Sequence, residues 1–159
     1  MSTLPQLLEE DILQLDEELR ELLTQTDSTT ALIIDKGGFL ITSQGDGRQF
    51  DLTTIAALAS GAFMANQTIA NLVHETSFNS VYQQGQKFSM FVMEMDDYCM
   101  LVVIFKASVS VGVVKYFSAP AAQRCARQLE IAQQRDPSGG LDLSVLNLAD
   151  TSDLFKKKV

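Results

Sequence analysis

Residues 51–73, DLTTIAALASGAFMANQTIANLV, hold a helical period from end to end without a proline. Ile55, Leu58, Ala62, Ala65, Ile69 and Leu72 recur at intervals of three and four and mark one apolar stripe. Asp51 stands ahead of the run as a natural N-cap. A neighbouring stripe, Thr54, Ala57, Gly61, Met64 and Thr68, is small and weakly polar, with a single methionine projecting from it. Solvated helix faces ordinarily carry Glu, Lys or Arg, and this run has none of them. The first stripe therefore reads as the face turned to the protein's own core. The second reads as a surface made for close approach by another body.

The flanking segments supply a sheet for this helix. ALIID (31–35) and FLITS (39–43) read as strands joined by Lys36-Gly37-Gly38, a turn suited to a hairpin. Residues 44–50 form a polar loop. Beyond the helix, FNSVYQQ (78–84), KFSMFVMEM (87–95) and YCMLVVIFKA (98–107) read as three more strands, with Gly85 and Asp96-Asp97 at the turns. The last of these is the most apolar and belongs in the centre of the sheet. Upstream, Leu4, Leu8, Ile12, Leu15, Leu19 and Leu22 predict an amphipathic helix over 4–26, with Pro5 in its first turn and an acidic outer face. Downstream, a helix is expected from about Val111 to Arg135, disturbed near Pro120. The order αββαβββα predicts an α+β fold, one five-stranded antiparallel sheet with helices on its faces. Asp-Pro-Ser-Gly-Gly then separates a folded domain over 1–135 from a flexible C-terminal tail over 136–159, in which Leu154 and Phe155 are spaced apolar residues of a kind that a partner can grip.

Length and charge narrow the function. A chain of 159 residues with 46% apolar content buries enough surface to fold without disulfides or metal. A net charge of −8 opposes nucleic-acid binding, where neutralising phosphates supplies much of the affinity, and opposes an anionic membrane surface too. No run reads as membrane-inserting. Residues 1–15 are acidic and amphipathic, so no secretory signal is expected. Cys99 and Cys125 share no CxxC motif and read as buried thiols in a reducing cytoplasm.

Catalytic chemistry is scarce. The lone histidine, His74, ends the 51–73 helix without a second ligand or a nucleophile at a useful spacing. Gly45-Asp46-Gly47 matches neither phosphate-loop pattern, and Glu94, Asp96 and Asp97 fit an ordinary turn better than a calcium loop. No metal, cofactor or active site of its own is expected, and a small-molecule sensor would need convergent polar groups that the sequence does not display. The FNSVYQQ strand lacks the Lys or Pro that normally protects a sheet edge. Two copies pairing through Asn79, Ser80, Val81, Tyr82 and Gln83, with their 51–73 helices side by side above, form the expected homodimer.

The element order, ALIIDKGGFLITSQG, the Ala/Gly-rich helix after it, YCMLVVIFKASVSVGVVK and the terminal DTSDLF together resemble the roadblock family, and within it the bacterial MglB type. The resemblance covers about residues 4–135 and, more weakly, the tail. It implies a homodimer with one joined sheet, acting as activator of a small Ras-like GTPase of the MglA type in bacterial polarity and motility. The alternative is a non-catalytic roadblock scaffold in a signalling or motor complex. By position, the GTPase-facing residues it implies are Ala57, Gly61, Met64 and Thr68. The chain departs from the family pattern at Pro120, and at Met64 and Thr68, which are bulkier than an all-small face. Arg48, in the loop before the helix, is the one arginine placed to serve as a finger. The resemblance instead implies an activator that orders the GTPase's own catalytic groups.

Overall fold

Alternation along the strands decides the architecture. In the computed structural model, which describes residues 4–135, the odd-numbered apolar residues of β1 and β5 face one way and the even-numbered ones the other. Ala31, Ile33, Leu101, Val103 and Phe105 join a core with Leu15, Leu19 and Leu22 of α1 and Leu129 of α3. Leu32, Ile34, Met100, Val102 and Ile104 join a second core with Ala56, Ala59 and Phe63 of α2. The elements are α1 (Glu9–Thr26), β1 (Thr30–Asp35), β2 (Leu40–Gly45), α2 (Leu52–Leu72), β3 (Ser80–Gln83), β4 (Phe88–Glu94), β5 (Cys99–Lys106) and α3 (Val111–Gln134), with a short 3-10 turn at Gly47–Gln49. All pairings are antiparallel in the order β2-β1-β5-β4-β3. The predicted order αββαβββα and the central place of β5 both hold. Helices α1 and α3 cover one face of the sheet, and α2 alone covers the other.

Two of the helices differ from the sequence reading. Helix α1 begins at Glu9, not at residue 4, because the Asp11 carboxylate accepts the Leu8 N–H at 2.8 Å and so closes the first turn. Helix α3 runs through Pro120 without a break. Pro120 lies on the exposed side of the helix, as does Tyr116 one turn before it.

One buried carboxylate ties the ends of the domain together. Asp11 is fully buried and accepts from Leu8 N–H, from Gln128 Nε2 at 2.7 Å, and from both terminal nitrogens of Arg135 at 2.8 and 3.1 Å. Arg135 also reaches Glu10, and Arg124 pairs with Glu18 at 2.6 Å, so α3 is fastened along α1. The Arg135 hydrogen bonds hold the Asp11 carboxyl below the usual carboxylate range, against the opposing effect of burial. With the folded value depressed, this stability is fully present above the unfolded value of about 4 and is lost as pH falls through the folded one. Asp11→Asn should cost roughly 1–3 kcal/mol at pH 7, and the gap from wild type should close below about pH 4. Urea denaturation across this pH range measures it; a gap independent of pH would contradict the ionic role of Asp11.

Candidate functional site

The outer surface of α2 is the feature that sets this fold apart. Its N-terminus is capped as the sequence predicts: Asp51 Oδ1 accepts the Thr54 N–H at 3.1 Å and Oδ2 accepts the Thr54 hydroxyl at 2.7 Å. These bonds, the hydroxyl's foremost, lower the Asp51 pKa. Of the expected core stripe, only Ile55 packs on the core, half-buried against the second cluster. Leu58 is 68% exposed and Leu72 75% exposed, Ile69 is exposed with them, and so are Ala62 and Ala65. The buried side is Ala56, Ala59, Ser60, Phe63 and Ala70. Small alanines let the helix approach the sheet closely, Phe63 fills the second core, and Ser60 donates its hydroxyl to the Lys36 carbonyl at 2.6 Å. A helix that is apolar nearly all round has no single period to read, so the larger stripe misleads. Thr54, Ala57, Gly61, Met64 and Thr68 are exposed as expected.

The two exposed stripes look in different directions. Ala62 and Asn66 line a shallow groove with Phe63, and its floor is Val81 and Gln83 of β3 with Met90 and Val92 of β4. At a turn of 3.6 residues, Leu58, Ala65 and Ile69 ride on this same groove side of the crest. On the opposite flank, α2 meets the β1–β2 hairpin. A Cβ added to Gly38, whose φ is +94°, would stand 3.1 Å from the Ala57 Cα, so a glycine is needed there for both conformation and contact. Gly61, Met64 and Thr68 continue the Ala57 flank. Met64 is 58% exposed.

Strand β3 is a sheet edge, as the sequence predicts. It runs only from Ser80 to Gln83 and is firmly held on its inner side. Gln67 of α2 donates to the Phe78 carbonyl at 2.8 Å, and Tyr82 stacks on Phe105 with ring centroids 6.2 Å apart. Asn79, just before the strand, and Gln83 are exposed, while Ser80, Val81 and Tyr82 are half-buried. Leu154 and Phe155 lie outside the described residues.

The remaining polar candidates have structural duties. Glu94 pairs with Lys36 at 2.6 Å, and Asp96 Oδ1 accepts the Tyr98 and Cys99 N–H groups. Gly45, at φ +103°, passes so close to β1 that a Cβ would lie 2.3 Å from the Thr29 carbonyl oxygen, which accounts for the glycine without any phosphate. His74 follows α2 in a left-handed conformation and is exposed, as is Arg48 in the 3-10 turn before α2. Burial pushes the Cys99 and Cys125 thiols up to about 12, so both stay protonated and inert. Among the described residues, no cluster of His, Cys, Asp or Glu is arranged to hold a metal ion, and no helix is long and apolar enough to cross a membrane.

Comparison with known proteins agrees with this geometry. No curated protein sequence matches the chain significantly. Among solved structures, MglB with a tetrameric arrangement is 28% identical, with a TM-score of 0.77 over 83% of this chain and 99% of that one. The gliding protein MglB of Thermus thermophilus is also 28% identical, with a TM-score of 0.75 over 82% of this chain and 98% of that one. MglB of Myxococcus xanthus is 25% identical, at 0.75 over 82% and 98%. The Roadblock/LC7 domain model matches residues 15–105, from α1 to the end of β5, and on this match the chain belongs to the Roadblock/LC7 family.

Proposed function

We propose that this protein is a dimeric activator of a small Ras-like GTPase of the MglA type. The observation that carries the reading is the outer surface of α2, uncharged along its whole length, with Leu58 and Ile69 exposed on one flank and small residues with an exposed Met64 on the other. Monomeric proteins rarely leave such a surface to water. In the proposed assembly the groove flank, with Leu58, Ala65 and Ile69, packs on its copy while the two β3 strands pair through Asn79 to Gln83. The hairpin flank, with Ala57, Gly61, Met64 and Thr68, meets the GTPase. Leu154 and Phe155 add a tail contact. The family membership and the likeness to MglB structures support the regulator reading. Polarity or motility is its proposed setting and the cytoplasm its proposed location.

This division of labour separates two substitutions. Leu58→Glu with Ile69→Glu should convert the dimer to monomer in light scattering, since buried like charges would face each other across the axis. A dimer that survives both changes would contradict the pairing. Met64→Arg should leave the dimer intact and abolish co-elution with the GTP-loaded GTPase. A complex that still forms would contradict the docking flank.

Activation, in this reading, proceeds by ordering the GTPase's own catalytic groups, a shift toward an active conformation already in its ensemble. Arg48 is then dispensable: Arg48→Ala should retain most of the stimulation in single-turnover hydrolysis. A loss of roughly a hundredfold or more would restore an arginine-finger mechanism. Binding without any acceleration by the wild-type protein would favour the scaffold alternative.

A further inference from the structure

We propose that the outer stripe of α2 is a self-complementary seam for a second copy of this chain, with the twofold axis crossing it between Ala62 and Ala65; this rests on the dimer reading above. The stripe is Ile55, Leu58, Ala62, Ala65, Ile69 and Leu72. Its spacing is symmetric, as any run of alternating threes and fours can be. Its side-chain sizes are symmetric as well: two large, two small, two large. Ala62 and Ala65 stand equally far from the Phe63–Met64 peptide bond, and so do Leu58 and Ile69, and Ile55 and Leu72. A twofold interface sets each residue against its counterpart, so an antiparallel pair centred there places alanine on alanine and Leu58 on Ile69 of the other copy. Crossed helices are closest where they cross and diverge on either side, and small residues in the middle with large ones toward the ends fill that shape. A register shifted by one heptad toward the N-terminus sets Leu58 against Ala62 and leaves Ile69 and Leu72, both exposed in one chain, uncovered.

The surroundings of the stripe agree on the axis and on the occupant. Ala62 lines the groove whose floor includes Val81, and Val81 is the middle residue of the 79–83 segment through which the β3 edges pair in the dimer. One axis therefore serves both contacts. The groove leads into a second cleft of about 310 Å³, lined by Phe50, Ile55, Phe88, Met90 and Ile104, with Gln83 and Met90 belonging to both. Ile55, on the cleft wall, lies about 13 Å along α2 from the axis, and Leu72 lies equally far on the other side. Each copy's Leu72, followed by Val73, thus comes to the mouth of the other copy's cleft. These side chains are 75% and 59% exposed in one chain. The helix end that carries them is fixed, with Glu75 N–H donating to the Ala70 carbonyl at 2.8 Å across the left-handed His74. Area points to the same occupant. A seam along the 21 residues of α2 is about 31 Å long and covers roughly 300 Å², short of the ~800 Å² per partner of a stable interface. The cleft and the β3 edge extend it toward that size, and a twofold copy engages all three at once.

The test uses the full-length protein. Leu58 and Ile69 are exposed in one chain and stand about 16 Å apart along α2, too far for a disulfide within it. A Leu58→Cys variant mixed with an Ile69→Cys variant should give a disulfide-linked heterodimer on oxidation. Either variant alone should stay unlinked, because identical positions lie at least as far apart across the axis, and the native Cys99 and Cys125 are buried. Leu72→Ala should raise the dimer dissociation constant about tenfold in sedimentation equilibrium. With the wild-type protein dimeric, three results overturn the seam and leave the dimer reading in place: an unlinked mixture, linkage of the Leu58→Cys variant to itself, or a Leu72→Ala constant within about twofold of wild type. A wild-type protein that sediments as a monomer overturns the dimer reading and the seam with it.

Discussion

A five-stranded sheet is roughly 19 Å across, and a helix with its side chains spans only about 10–12 Å. Two helices are needed to cover each face. This chain supplies two on one side, α1 and α3, and one on the other. Most of what is unusual about the molecule follows from that shortfall. The lone helix α2 must hold the second core, and it does so with alanines, Phe63 and a hydroxyl bonded to the hairpin. Beside it, Val81, Met90 and Val92 are left as the floor of a groove. Above it, an uncharged helical surface stands where a fourth helix would cover it. A second copy of α2, brought by a twofold axis at β3, supplies the missing cover in the proposed dimer.

The two sides of the sheet also differ in how they are fixed. On the α1/α3 side, charge contributes directly. Asp11, Arg135, Glu18 and Arg124 clasp the helices to each other, and a hydrogen bond from Thr42 to Asp16 ties α1 to β2. Helix α2 contains no charged residue with which to form an ion pair. It is held by close approach at Gly38 and Ala57 and by side-chain bonds from Ser60 and Gln67. That leaves the outer surface of α2 free of charges that a docking partner would have to desolvate. It also places Met64 on the hairpin flank, away from the proposed twofold axis.

Much of this was legible in the sequence. Period-2 runs separated by Gly37-Gly38, Gly85 and Asp96-Asp97 predict the strands and their hairpins, and the missing Lys and Pro mark β3 as an unusual edge. The helical period of 51–73 predicts α2 and its cap. What periodicity could not provide is the direction in which α2 points, because Leu58, Ile69 and Leu72 lie where the monomer leaves them exposed, while Ala56, Ala59 and Ala70 lie on the side it buries. The cue was present in Phe63, the helix's one aromatic residue, with Ala56, Ala59 and Ser60 around it at helical spacing. Asp11 was hidden for a different reason: its partners Gln128 and Arg135 lie more than a hundred residues away, and only tertiary contact makes it a buried clasp.

The central claim is that the two exposed flanks of α2 serve two different bodies. Methyl NMR with a soluble paramagnetic reagent reads this directly. In the free protein the account predicts strong relaxation of the Met64 methyl and protection of Leu58 and Ile69, with Met64 becoming protected only when the GTP-loaded GTPase is added. Met64 shielded in the free protein, or Leu58 and Ile69 fully open to the reagent, would contradict it.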